Sequence, residues 1–129
     1  MDNYKNIDLS YLELMSDGDA GMKAILLDML LTEPATEFEK MKQLAADQNW
    51  EDLKQVSHKM KSTLPYIGFE ELSETNKKVD KMLWENKNTD LEESVIAETI
   101  PGLVSRVSEL YEAALPELQD ARNQLMNPA

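Results

Sequence analysis

The sequence contains no cysteine, which excludes disulfide bonds and thiolate metal sites and is typical of a reducing compartment. It contains a single histidine, His58, and one imidazole without thiolates cannot build a structural zinc site. The Glu-x-x-His repeat of di-iron helical bundles is also absent, because Gln55 stands three residues before His58. We therefore expect this chain to bind no metal and no cofactor of its own.

Glycine is scarce as well, with four residues in the chain, and neither kind of glycine-rich phosphate loop is present. No nucleotide site is evident from the sequence. We therefore do not expect the chain to act as a kinase by itself.

Long apolar runs are missing too, since none approaches the roughly 18 residues that a membrane span needs. The longest dense run, Ala24 to Leu31, is broken by Asp28. The N-terminus lacks the apolar segment of a signal peptide. These features favour a soluble, cytoplasmic protein, and the start at Met1 with a polar segment favours a whole chain over a fragment of a hybrid kinase.

Positive charge is in deficit, with 13 Lys and Arg against 25 Asp and Glu and a formal net charge of -12. Such a balance argues against general binding of nucleic acid and against attraction to anionic lipid. We expect neither nucleic acid nor a membrane as a partner, so any basic function must be local.

Helix-forming residues and helical periodicity dominate what is present. The pattern predicts a short helix over about 9–15 and four long amphipathic helices over about 20–46, 50–68, 69–84 and 91–125. The fold class is therefore all-α, an antiparallel up-down four-helix bundle with an additional short N-terminal helix. A chain of 129 residues suits a single domain over 1–129, with its core at about 8–125.

Turn and cap residues punctuate these helices. The run Asp17 to Asp19 predicts a turn with Asp19 as an N-cap, and Asn49 is a second N-cap, with Asp52 at the third position. Pro34 is expected to interrupt or kink the second helix, and 86–90 is expected to be a loop. The last helix should be kinked or divided by two further prolines, Pro101 and Pro116. The inward positions predicted for the second helix are Ile25, Met29, Phe38, Met41, Leu44 and Ala45.

The stretch from Leu53 to Gly68 holds the single histidine. At about 100° per residue, one apolar stripe on this helix faces the core, and His58 lies roughly 160° from its centre, facing solvent. The stripe consists of Leu53, Val56, Met60, Leu64 and Ile67. The outer-face neighbours of the histidine are Lys54, Gln55, Lys61, Ser62 and Pro65.

Charge reverses locally around this histidine, because the stretch from Leu53 to Gly68 contains three lysines and no acidic residue. A basic surface around an imidazole suits a group that carries an anion. Two interpretations stay open for the lysines of the following helix, Lys77, Lys78 and Lys81. They form a solvated face, or they extend the basic surface beside His58.

The run from His58 to Gly68 resembles the signature of histidine-containing phosphotransfer (HPt) domains. Their pattern is His, two residues, Lys, Gly, five residues and a final Gly, and His58, Lys61 and Gly68 fall in register with it. Ser62 replaces the first glycine, and Leu64 and Pro65 replace what is a run of small residues in the family.

The resemblance implies a phosphorelay function. His58 would accept a phosphoryl group from an aspartyl phosphate of a receiver domain, through Nε2, and pass it to another receiver aspartate, while Lys61 counters the charge. The partners would be receiver domains of hybrid histidine kinases and response regulators, which supply the aspartate and Mg²⁺, and the chain would be a monomer. The expected partner-binding residues are Lys54, Gln55, Lys59, Ser62 and Pro65.

Two alternatives stay open at this point. A catalytically silent HPt-like bundle would regulate a receiver or kinase by binding, and the substitutions at Ser62 and Pro65 are the reason to consider it. An acidic helical adaptor unrelated to phosphorelay, with His58 incidental, is the other.

Overall fold

The described part of the chain, residues 4–88 and 93–126 of a computed structural model, is helical and contains no strand. The all-α prediction is confirmed. The elements are α1 (Ser10–Ser16), α2 (Ala20–Ala46), α3 (Trp50–Thr63), a 3-10 turn (Leu64–Tyr66), α4 (Glu70–Asn88) and α5 (Glu93–Met126).

Side-chain caps set the first residues of α2 and α3. The side chain of Asp19 accepts a hydrogen bond from the backbone N–H of Met22 at 2.9 Å, and Asn49 Oδ1 accepts one from the N–H of Asp52 at 3.2 Å. Each bond satisfies one of the amide groups that a helix start leaves unpaired. Both predicted N-caps are confirmed.

The four long helices pack in a ring, because α2 and α4 each contact both α3 and α5. The short α1 lies across α2 and the 3-10 turn. The helix predicted over 50–68 ends at Thr63, so that boundary is wrong, because the chain continues as the 3-10 turn. The predicted burial of its apolar stripe is confirmed for all five residues: Leu53, Val56, Met60, Leu64 and Ile67. Within 4–88 and 93–126, no helix is both long and apolar enough to cross a membrane.

The helix α2 runs through Pro34 without a break, so the predicted interruption is wrong. Proline has no N–H to donate to the carbonyl four residues earlier, which belongs to Leu30. The hydroxyl of Tyr111 in α5 donates to that carbonyl instead, at 2.6 Å. Tyr111 is buried, packs edge-on against Phe38 with ring centroids 5.3 Å apart, and burial raises its pKa to about 12. A tertiary hydrogen bond thus replaces the missing helical one.

Pro101 and Pro116 likewise lie inside a single helix, α5, and do not divide it. The predicted loop at 86–90 is wrong for 86–88, which continue α4 because neither glycine nor proline stops it there. Residues 89–92, where the rest of that loop and the start of the last helix were predicted, lie outside the described residues.

The predicted inward position of Ile25 is wrong as well, since its side chain is 63% exposed. The buried face of α2 begins at Leu27. Two residues correspond to about 200° of helix, so Ile25 points away from that face.

We predict that Tyr111→Phe lowers the free energy of unfolding by about 1–2 kcal/mol, because the buried Leu30 carbonyl loses its donor. Urea unfolding checks this. The matched control is Tyr11→Phe, at a ring that is 42% exposed, and it should change stability by less than about 0.5 kcal/mol. If the two substitutions lowered the free energy of unfolding equally, the Tyr111 hydroxyl would not be replacing the hydrogen bond that Pro34 cannot make.

Tyr111 also makes the free energy of unfolding depend on pH, and the direction of that dependence follows from its raised pKa. A pKa raised from 10.0 to about 12 means that the folded state disfavours ionisation. The stabilisation of the folded state by protonated Tyr111 is fully present below the pKa that this tyrosine has in the unfolded chain. It is lost as pH rises through the pKa of Tyr111 in the folded chain. The stability difference between wild type and Tyr111→Phe should therefore narrow between about pH 10 and pH 12.

Candidate functional site

His58 lies on the solvent side of α3, opposite the buried stripe, with 59% of its side chain exposed. The predicted exposure is confirmed. Its ring meets the edge of the Trp84 indole, with centroids 5.8 Å apart and an interplanar angle of 63°. An imidazole in this position is reachable by a folded partner and is held on one side by α4.

A buried carboxylate lies next to this histidine. Asp80 of α4 is 4% exposed, with Oδ1 at 3.7 Å from His58 Nδ1 and Oδ2 at 3.2 Å from Lys61 Nζ. Trp84 Nε1 donates to Oδ1 at 3.2 Å. Ser57 Oγ, whose single proton is shared with the Lys54 carbonyl at 3.1 Å, lies 3.3 Å from the same oxygen. A carboxylate removed from water needs such partners. Asp80 thus connects both residues that the motif places in the chemistry.

Sequence reasoning missed Asp80 and its neighbours on α4. Asn76, Asp80 and Trp84 recur every four residues and so share one helix face. Asn76 is 1% exposed, and its Nδ2 donates to the backbone carbonyl of Ser57 at 3.0 Å. Polar residues repeating every four positions beside an apolar stripe could have signalled this buried polar contact with α3.

Lys54 does not lie on the outer face, so that part of the prediction is wrong. The residue is 3% exposed, because the Trp84 ring covers it, with Nζ 4.4 Å from the ring centroid. The ammonium group also pairs with Glu51 at 3.4 Å. Trp84 and Glu51 therefore occupy the surface where direct contact of a partner with Lys54 was expected.

The other two lysines of the stretch are also paired. Lys59 Nζ lies 3.4 Å from Glu37 and 3.8 Å from Glu33, both on α2, and Lys61 pairs with Asp80 of α4. The predicted local reversal of charge therefore holds along the sequence but not in space, because α2 and α4 bring carboxylates to Lys59 and Lys61 and Glu51 of α3 itself pairs with Lys54.

The remaining predicted contact residues, Gln55, Ser62 and Pro65, are exposed. Ser62 Oγ donates to the carbonyl of Lys59 in its own helix, at 3.0 Å. Their roles in partner binding stay predictions.

Two of the three α4 lysines pair within their own helix. Lys77 lines a groove of about 280 Å³ together with Lys61 and Pro65, and its Nζ lies 3.5 Å from Glu74. Lys81 is 76% exposed and pairs with Glu85 one turn along α4, as a solvated face predicts.

Gly68, the last residue of the motif, has a packing role. Its φ is +68°, and a Cβ there would lie 1.8 Å from the carbonyl oxygen of Asp8. The N–H of Asp8 donates to the carbonyl of Ile67 at 3.1 Å. Glycine at this position therefore lets the N-terminal segment lie against the end of the histidine stretch.

No group of three His, Cys, Asp or Glu residues within 4–88 and 93–126 is arranged to hold a metal ion. The expectation that the chain binds no cofactor stays a prediction.

Comparison with known proteins yields one match. A family model described as "Hpt domain" matches residues 25–125, which is more than half of the chain and includes His58, Lys61 and Asp80. Searches of curated proteins and of solved structures found no match.

We predict that Gly68→Ala lowers the free energy of unfolding by about 2 kcal/mol or more, because it adds strain at positive φ to a clash with the backbone. Denaturant unfolding provides the measurement. Gly102→Ala in α5 is the matched control, since a Cβ there meets nothing within 4 Å, and it should stabilise the helix by about 0.5–1 kcal/mol. A Gly68→Ala chain as stable as wild type would disprove the packing role.

Proposed function

Because the chain belongs to the Hpt domain family, whose members take part in phosphorelay, two-component signalling, we propose that it carries a phosphoryl group between receiver domains. His58 accepts the group from an aspartyl phosphate on one receiver and passes it to an aspartate on another. The observation that carries this proposal is the exposed imidazole of His58, with Lys61 one helical turn away, inside the matched region.

The transfer step balances without a nucleotide. The lone pair of His58 Nε2 attacks the phosphorus atom of the aspartyl phosphate, so that an N–P bond forms. The P–O bond to the receiver aspartate breaks, and its electron pair leaves with the carboxylate. The second transfer reverses these changes on another receiver aspartate.

Lys61 is the cation available to the transferring group. Its side chain is 40% exposed, and residues three apart on a helix are neighbours, so its flexible stem can bring Nζ toward a phosphoryl group on His58. A cation placed where negative charge gathers stabilises the transition state. Lys61 shares its charge between Asp80 and the phosphoryl oxygens during transfer.

Receivers dock, in this proposal, on the exposed surface around His58. Gln55, Lys59, Ser62 and Pro65 are the contact residues, and Lys54 contributes through the Trp84 and Glu51 side chains that cover it. Mg²⁺ belongs to the receiver, and this chain supplies the nucleophile and Lys61.

The remaining features of the proposal follow from the family and the packing. We infer an antiparallel up-down order for α2 to α5, supported by their ring of contacts and by the short connection between α2 and α3, which favours antiparallel neighbours. A monomer located in the cytoplasm suits a carrier that visits several receivers. The family match removes the alternative of an adaptor unrelated to phosphorelay.

We predict that His58→Gln abolishes transfer and leaves receiver binding intact, because it removes the nucleophile from an exposed position. Phosphorylated receivers from the same cell are mixed with wild-type or variant chain, and acid-labile, base-stable label on this protein is followed. Binding is measured separately by titration.

Label on wild type and none on His58→Gln supports the carrier. If wild type binds receivers but takes no label from any of them, the proposal of a phosphoryl carrier is disproved. The alternative of a catalytically silent bundle that regulates by binding is then supported, and Ser62 and Pro65 are the substitutions that account for the absence of transfer.

We predict that Lys61→Gln slows transfer at saturating receiver by about tenfold or more, because charge on the phosphoryl group loses its counter-ion. Lys81→Gln removes the same charge from a site that is 76% exposed on α4 and should leave the saturating rate unchanged. Rapid-quench kinetics separates this rate from affinity. Equal rates for Lys61→Gln and wild type would remove Lys61 from the mechanism.

A further inference from the structure

We propose that Trp84 of α4 is the apolar anchor of the receiver-binding surface, and that a receiver covers its indole with an apolar side chain next to the phosphorylated aspartate. The inference rests on the proposed function, because the partner is the receiver domain whose aspartyl phosphate His58 attacks. It adds to the contact residues of α3 one residue of the neighbouring helix, which binds the partner and takes no part in the chemical step.

The indole of Trp84 is exposed beside the reacting group. Its ring centroid lies 5.8 Å from that of His58, at an interplanar angle of 63°, and 39% of the residue is exposed. The His58 side chain is itself 59% exposed. A folded receiver whose aspartate reaches Nε2 of His58 must cover the surface around that ring, and the indole is part of this surface.

Contacts within the chain hold the indole in place before a partner arrives. Its Nε1 donates to Asp80 at 3.2 Å, and the ammonium group of Lys54 lies 4.4 Å from the ring centroid. The His58 ring provides a third contact. A side chain that is already ordered loses little rotamer freedom on binding, so more of the free energy gained by burying its surface remains as affinity.

Charge on this surface is already compensated within the chain. Lys59 pairs with Glu37 of α2 at 3.4 Å, and Lys61 pairs with Asp80 of α4 at 3.2 Å. Exposed ion pairs contribute little free energy, whereas burial of apolar surface is favourable and tryptophan is enriched among the residues that dominate binding. Affinity for a receiver should therefore come chiefly from apolar contact, and Trp84 offers a large, rigid apolar side chain for it.

Trp84 also has a structural use, since it covers Lys54 and donates to Asp80. Two substitutions separate this use from binding. Trp84→Gln removes the aromatic surface and keeps an N–H donor, one turn from Asp80, where a glutamine and an aspartate can form a hydrogen bond. Trp84→Phe is the matched control, because it keeps an aromatic ring at the same place and removes the donor. Circular dichroism checks that both variants are folded.

Receiver affinity is measured by titration with receiver domains from the same cell. The reactivity of His58 is measured separately with phosphoramidate, which forms an N–P bond to the ring and releases ammonia. We expect Trp84→Gln to weaken receiver binding by about tenfold or more, and Trp84→Phe to keep most of the affinity. For Trp84→Gln, the phosphoramidate rate and the transfer rate at saturating receiver should stay within about twofold of wild type, as for a residue that contributes to binding alone.

Burial of the indole can also be observed directly, because the chain contains two tryptophans. In a chain labelled with 5-fluorotryptophan, the ¹⁹F resonance that is missing from Trp84→Phe belongs to Trp84. Unlabelled receiver should shift this resonance more than that of Trp50, whose Nε1 is buried. A receiver that binds and leaves the Trp84 resonance unmoved would overturn the proposal.

The anchor and the phosphoryl carrier fail on different results. If receivers bind Trp84→Gln as tightly as wild type and transfer to it, the anchor is wrong and the carrier stands. If they bind wild type more tightly than Trp84→Gln but transfer nothing, the anchor stands and the carrier is wrong. Phosphoramidate labelling of Trp84→Gln that falls as far as its receiver affinity would show that Trp84 acts on His58, against the anchor. If no receiver binds wild type, both proposals are wrong.

Discussion

A carboxylate buried between two helices is the constraint on which the site depends. Asp80 is almost removed from water, and such a charge is tolerated only where cations and donors surround it. Lys61, Ser57 and Trp84 meet that requirement. Each of these contacts also fixes the geometry around His58. The packing of α4 on α3 therefore determines how the side chains around His58 are arranged.

Local periodicity was sufficient to predict that His58 lies on the exposed surface where the proposed chemistry would take place. An apolar stripe on α3 must be buried, and a residue on the opposite side of that helix must then face solvent, whatever the neighbouring helices do. The exposure of His58 therefore follows from its spacing to Leu53 and Met60. Helix starts at Asp19 and Asn49 were predictable for the same reason, because a capping bond involves residues within one turn.

Features that depend on contacts between helices were not predictable in this way. Asp80 is 23 positions from Ser57, and Tyr111 is 81 positions from the Leu30 carbonyl that it satisfies. The four-residue spacing of Asn76, Asp80 and Trp84 marks a polar face of α4 but does not identify the residues that this face meets, so the buried acid was missed. Nothing near Pro34 in the sequence marks Tyr111 as a donor, so an interruption there was wrongly expected. Lys54 was misplaced for a related reason, since a residue at the border of a helix face is exposed or buried according to what the neighbouring helix brings, here Trp84.

Asp80 also relates the structure to the proposed chemistry, through the positively charged groups that lie beside its carboxylate. Before transfer, Lys61 balances the charge of Asp80. In the proposed transfer, Lys61 shares its charge between Asp80 and the phosphoryl oxygens, so the compensation of the buried carboxylate falls. The imidazole gains positive charge on forming the N–P bond, with Nδ1 on the side of Asp80. That charge adds to the part of the Lys61 charge that stays beside Asp80, so the buried carboxylate is not left uncompensated.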